Sequence, residues 1–535
     1  MSQNSPVEYF NQTFSRGFYM NYKLKHLVAA TLAGTALLGF GANAVADTTD
    51  DIVNALIAKG VLTEEEGQLL LNSRELEKTA KAKIPAPKFK DGLVFENEDK
   101  STTFQIGGRI HADYRAFDHG NNENQAPTLL QPNLPTGNTP NESDTFDIRR
   151  ARLEFKGHFY DNFDFLLSAD AAGQTNGNTG AILDQAWLNI SHYKPVQFRV
   201  GQFKVPMSME RKMSSNALDF MERSQHDTIS TYEDRGAMIW GVPKDGITYA
   251  LAVVNGEGNK NRNDVDSRVS KPEFQANATI NFAQLMDNKE AVYHLGFGAS
   301  TTDISKGNGS NNPAGVNSTF WFAGGNTART EARGVNYLTM PSINSINGVS
   351  NEISRQRYNL EAAVAYGPVK VVAEYLKNDF SGDLTTAKSF DNSVKAYYAS
   401  VLWNISGEKF ADFYKEGIFT AVKPKNNFDF TKFTGGAWQL GARYSKLDAS
   451  DFNNATFASV NGATTTPANG SVATTNTTNS TFEADAYTIG LNYIPNPNVR
   501  FMLNYIKTNF DTPILIEGAK EDSESAITAR AQFTF

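Results

Sequence analysis

The chain has 535 residues, a formal net charge of −8 and no cysteine. The missing thiols exclude disulfides, cysteine-ligated metals, iron–sulfur clusters and thiol catalysis, and the negative balance excludes a polyanion binder that uses its whole surface. No stretch of about 20 apolar residues follows the N-terminal segment, so any passage through a membrane must be made by a closed barrel rather than a helix.

In chain order, the first element is an address. Lys23, Lys25 and His26 form a basic region, Leu27 to Phe40 an apolar one, and Ala44-Val45-Ala46 a small-x-small cleavage site. The pattern predicts a signal peptide over residues 1–46 and a mature chain starting at Asp47, with Met20 a candidate initiator. A short helical segment is predicted next, within 47–90. Ile52, Leu56 and Ile57 share a face, Gly60 interrupts, and Thr63 with Glu66 reads as a capping box before Leu69, Leu70 and Leu71. This segment reads as a periplasmic spacer, with oligomerisation or cell-wall contact as the alternative.

From Ser101 the period changes to two. Phe104, Ile106, Ile110 and Tyr114 alternate with Gln105, Arg109, His111, Asp113 and Arg115. Tyr358, Leu360, Ala362 and Val364 alternate with Arg357, Asn359 and Glu361. Successive strand residues face opposite sides, so each such segment has one apolar and one polar face. Tight turns such as Tyr160-Asp161-Asn162 alternate with long Asn/Thr/Ser/Gly-rich connections: Phe117 to Asp144, Asp303 to Ser354 and Ala449 to Ser480. Those features predict an all-β fold, a transmembrane antiparallel barrel of about 16 strands over residues 91–535.

The chemistry-bearing pattern is basic. In Phe146 to Lys156, Arg150, Arg152, Glu154 and Lys156 share the polar face. An arginine on the lipid face near the bilayer centre costs roughly 2–4 kcal/mol, so that face is assigned to the lumen. Arg149 has the opposite parity and reaches the lumen only through a β-bulge. Arg109, Arg115, Arg199, Lys204, Arg443 and Arg500 extend the same wall, and Asp113, Asp147, Glu154 and Asp170 are available to neutralise it. Residues 205–235 lack strand alternation but carry Arg211, Lys212, Ser214 and Ser215 among Met207, Met209, Met213, Leu218 and Phe220. They are predicted to fold into the barrel and narrow it. Guanidinium forks and serine hydroxyls suit a partly dehydrated oxyanion. The seven histidines are scattered, and neither metal-ligand spacing nor a nucleophile elbow, P-loop or dinucleotide fingerprint occurs. No catalytic residue, metal, cofactor or nucleic-acid partner is expected.

Five segments, taken in order, resemble the phosphate-selective porin O and P family. They are Phe146 to Gly157 (FDIRRARLEFKG), Val200 to Glu210 (VGQFKVPMSME), Trp403 to Phe410 (WNISGEKF), Gly435 to Asp448 (GGAWQLGARYSKLD) and Gly490 to Tyr505 (GLNYIPNPNVRFMLNY). The resemblance implies an outer-membrane homotrimer in which each subunit is a pore for passive diffusion of small inorganic anions. It also implies an inward third loop and a ladder of arginines feeding a central anion site. Arg149-Arg150 match an adjacent pair in that family, and Glu210 to Asn216 match its constriction. Arg211 stands where the phosphate pores have lysine, Ser214-Ser215 match a serine pair, Asn216 replaces a second lysine and Arg152 an aromatic residue. Those departures count against strict phosphate selectivity, and a broader anion pore or another oxyanion is equally compatible. A structural or adhesive barrel with a plugged lumen is the alternative from a different class.

Overall fold

The computed structural model of the chain describes residues 57–59, 63–66, 68 and 87–535, except 90–91, 120–143, 173–181, 257–270, 306–326, 342–349, 351, 454–479 and 517–518. The chain divides into one unit ending at Pro85 and a second from Ala86 to Phe535. In the first, the capping box is present. The Glu66 carboxylate accepts from Thr63 N and Oγ1 at 2.9 and 3.0 Å, and Glu66 N donates back to Thr63 Oγ1 at 3.2 Å. These bonds hold the Glu66 carboxyl below its usual range. The signal-peptide residues 1–46 lie outside the described residues.

In the second unit, sixteen strands run antiparallel in sequence order. They are β1 (Thr103–His119), β2 (Thr145–Phe159), β3 (Phe163–Asp170), β4 (Ile182–Ile190), β5 (Gln197–Lys204), β6 (Glu233–Lys244), β7 (Ile247–Val254) and β8 (Glu273–Asn281). The second half comprises β9 (Ala291–Ser305), β10 (Glu352–Tyr366), β11 (Val369–Thr385), β12 (Lys388–Asn404), β13 (Ala437–Asp448), β14 (Glu483–Asn496), β15 (Val499–Ile516) and β16 (Ala519–Thr534). β16 pairs with β1, from Glu524↔His119 to Thr534↔Arg109, and so closes the sheet. Closure leaves no free edge, which is what a sheet needs in hydrocarbon.

The polarity of the two faces is inverted relative to a protein in water. On β10, Leu360, Val364 and Tyr366 point out and are 55, 54 and 67% exposed, whereas Arg355 and Glu361 point in and are 2% exposed each. Aromatic rings gather on the outer face toward both strand ends. Trp438 and Tyr493 stack 4.4 Å apart at the short-turn end, and Tyr375, Tyr397, Tyr444 and Tyr487 form a cross-strand row toward the other. Girdles of this kind mark the two membrane interfaces. The β2–β3 turn is tight because Tyr160 and Asp161 both adopt positive φ, 51 and 57°, the geometry whose twist matches a hairpin.

Apolar side chains are also buried inside the barrel, against connecting segments that enter it. Residues 205–232 contribute Val205, Met207, Met209, Leu218, Phe220 and Ile229. A second segment, Thr327 to Pro341, lies within the connection read from sequence as a long outer loop. It forms a small hairpin with Tyr337, Leu338 and Met340 fully buried. A third departs from the rule of tight turns at that end of the barrel. The connection from β12 to β13 spans residues 405–436 and buries Phe410, Tyr414 and Phe419. Those three find cover inside the mouth of the barrel, where Tyr414 Oη meets His294 Nδ1 at 2.7 Å.

Candidate functional site

The bulge required by strand parity is present. His111 pairs with Arg150 and Ala112 with Ile148, leaving Arg149 as the extra residue on β2. Ile148 therefore stays on the lipid face while Arg149 and Arg150 both turn inward. Arg149 Nε and Nη2 bind the two carboxylate oxygens of Glu222 at 2.8 and 3.1 Å. Arg150 is buried, and its Nη1 has no hydrogen-bond partner among the described residues.

Neighbouring strands complete this wall. On β1, Arg115 Nη2 lies 2.6 Å from Asp113, and Arg530 of β16 grips the same carboxylate at 2.6 and 2.7 Å. Arg109 pairs with Glu154 and donates to Ser214 Oγ at 3.1 Å and Ser215 Oγ at 2.9 Å. Arg152 sits between Asp170, at 3.1 Å, and Asp184, at 2.6 Å. Asp184 is itself the extra residue of a second bulge, between the pairs Ser168↔Gln185 and Ala169↔Leu183. The neutralising acids anticipated from sequence are thus engaged. Asp113, Glu154 and Asp170 each hold an arginine, and Asp147 lies 3.4 Å from Arg115.

The inward segment carries two short helices, α1 (Met209–Lys212) and α2 (Gln225–Ile229). Ser208 caps α1 by accepting from Arg211 N, and the Glu374 carboxylate of β11 receives Met209 N and Glu210 N at 2.9 and 2.7 Å. Exposed N–H groups at a helix start favour a carboxylate there. Arg211 turns away from the arginine wall to Glu233 at 2.7 Å and stacks on Tyr232. Lys212 reaches Asn277 at 3.0 Å and lies 3.6 Å from Glu361. Lys204 donates to the carbonyls of Met213 and Lys212.

The structure therefore brings Arg109, Ser214 and Ser215 together, and likewise Arg149 with Arg150. It separates others. Arg199 lies between the Trp187 and Trp240 rings, 4.1 and 5.0 Å from their centroids, and Lys156 is exposed with no ion pair among the described residues. Sequence reasoning missed Glu222, Asp184, Arg530 and the Arg329–Arg333 stretch. The parity of β16 placed Arg530 inward, and Asp184 carried the same charge-against-parity signal used for Arg149. Glu222 gave none, because its segment has no period. Arg333, on the second inward segment, is pulled down to about 9 by the adjacent Arg149 guanidinium and by burial. Several guanidinium groups therefore share one region of the lumen.

A closed barrel that is apolar outside, charged inside and crossed by an inward loop defines an outer-membrane porin. The sequence profile described as phosphate-selective porin O and P matches residues 104–535, and the chain belongs to that family. Porin O of Pseudomonas aeruginosa is 27% identical over 461 residues, covering 84% of this chain and 92% of its own. Among solved structures, an anion-selective porin from Comamonas acidovorans aligns with a TM-score of 0.44 at 11% identity, over 81% of this chain and 100% of its own. The outer-membrane channel DcaP of Acinetobacter baumannii aligns with a TM-score of 0.43 at 10% identity, over 82 and 99%.

Proposed function

We propose that this porin mediates passive, anion-selective diffusion across the outer membrane, with phosphate or a similar oxyanion as the solute. The observation that carries this is the set of inward-facing arginines on β16, β1 and β2: Arg530, Arg109, Arg115, Arg149, Arg150 and Arg152. Such a wall offers a dehydrating anion successive weak sites, each strong enough to enter and weak enough to leave. The description of the family to which the chain belongs, phosphate-selective porin O and P, supports the same direction. The porin acts as a homotrimer in the lipid bilayer and performs no chemistry on its solute. Residues 1–46 are a cleaved signal peptide and 47–90 a periplasmic spacer.

The test is a reversal potential in a KCl gradient across a planar bilayer, for the native pore and for Arg150→Ala with Arg152→Ala. The native pore is expected to favour chloride, and the double variant to favour it several-fold less. A cation-favouring native pore would end this reading. The second reading, a structural or adhesive barrel with a plugged lumen, is supported by the fully buried Tyr337, Leu338 and Met340 inside the barrel. A plugged barrel gives no steady conductance steps.

A further inference from the structure

Two carboxylates serve the arginine cluster, and they differ. Asp113 belongs to the wall, has a fully buried side chain and is clamped between Arg115 and Arg530. Glu222 arrives from the inward loop, and its side chain retains 12% exposure to the lumen. It meets Arg149 at 2.8 Å, Arg530 at 3.0 Å and Arg115 at 3.3 Å. Arg150 lies beside this cluster, with Arg149, Glu222 and Arg530 among its charged neighbours, and its buried Nη1 is unpaired among the described residues. Three guanidinium groups thus converge on one loop-borne carboxylate, and a fourth has a vacant donor.

We propose that the Glu222 carboxylate is a built-in occupant of an oxyanion-binding site, and that a permeating oxyanion binds there by exchanging with it. The proposal rests on the anion-pore reading above. A carboxylate and a phosphate present similar pairs of acceptor oxygens to a guanidinium fork, so what satisfies Arg149, Arg530 and Arg115 at rest is chemically interchangeable with the solute. The backbone at Glu222 is held by Arg443 and Arg530, but its side chain belongs to a loop rather than a strand, so the carboxylate can rotate off the cluster without disturbing the sheet. The unpaired Arg150 donor, buried while Glu222 is in place, adds a fourth contact to the anion once that carboxylate has moved. A self-occupied site binds with an apparent affinity lowered by the fraction of time it is vacant. Glu222 thereby sets how tightly the pore holds its solute and keeps a cluster of arginines from becoming a trap.

The experiment measures chloride conductance of the full chain in planar bilayers, with inorganic phosphate as the competing ion, for the native pore and for Glu222→Gln. The glutamine is nearly isosteric but carries no charge. Removing the occupant is expected to lower the half-blocking phosphate concentration about tenfold and to raise chloride preference. An unchanged or higher half-blocking concentration, in a native pore that prefers anions, overturns the proposal and leaves the pore reading standing. A native pore that prefers cations overturns both. Folding is checked by heat-dependent migration in detergent gels. If Glu222→Gln does not assemble, Glu222→Asp takes its place, because it keeps the charge but draws the carboxylate back by one methylene. The expected shift is then in the same direction and about threefold, and no shift overturns the proposal.

Discussion

Two walls of the lumen hold the inward loop by largely opposite chemistry. The wall from β13 through β16 to β2 mainly donates, although Asn504 accepts from Met221 N. Arg443 bonds the carbonyl of Glu222, Arg500 that of Leu218, Arg530 that of Met221 and Arg109 the two serines, while Arg149 takes the Glu222 carboxylate. The facing wall of β8, β10 and β11 mainly accepts, although Lys370 and Asn378 of β11 donate to Asp219 and to the carbonyl of Ile229. Glu374 receives the first N–H groups of α1, and Asn277 and Glu361 receive Lys212. The loop is thus strung between donors and acceptors. The difference teaches that an arginine in a pore need not face the solute. Many on the donating wall are occupied with holding the loop, and only those with a spare donor or an exchangeable partner are free for transport.

That contrast can be broken from either side. The largest effect is expected on the accepting wall, where few groups carry the load. Glu374→Ala strips the acceptor from Met209 N, Glu210 N and the Tyr398 hydroxyl, all buried. Leaving such donors unmet costs about 2–3 kcal/mol, so the loop should loosen and the single-channel step should grow. A step of native size would show that the accepting wall is dispensable. On the donating wall the load is spread, so Arg500→Ala, which frees the carbonyl of Leu218, should cost only about 1 kcal/mol and leave the step close to native. The smallest effect is expected from Ser214→Ala with Ser215→Ala. Arg109 keeps Glu154, and the loss of two neutral hydroxyl acceptors should shift phosphate block by less than about threefold. A tenfold change would place the serines at the solute.

The barrel was legible because a lipid-facing strand must alternate, and β10 does so along its length from Ile353 to Tyr366. The arginine pair was legible for the same reason. Strand parity put Arg149 on the wrong side, the cost of a charge in lipid demanded a bulge, and the ladder has one there. The same argument applied to Asp184 finds the second bulge. What stayed hidden lies in aperiodic segments. Nothing in the sequence around Glu222 says which wall it faces, and Thr327 to Pro341 has the composition of a surface loop although it packs inside. Positions of that kind are set by distant partners, such as Glu524 of β16, which receives Thr330 Oγ1 and Val335 N at 2.5 and 2.9 Å.

The extra residue on β2 has one more consequence. Ile148 faces lipid and Arg150 points to the lumen side, where it is buried, so the two would already alternate correctly if they were adjacent. Deleting Arg149 should therefore heal the strand into a regular ladder. The barrel would lose a guanidinium and keep its architecture, so the positive charge at this level of the pore is a detachable fitting that the scaffold can gain or shed by a single codon.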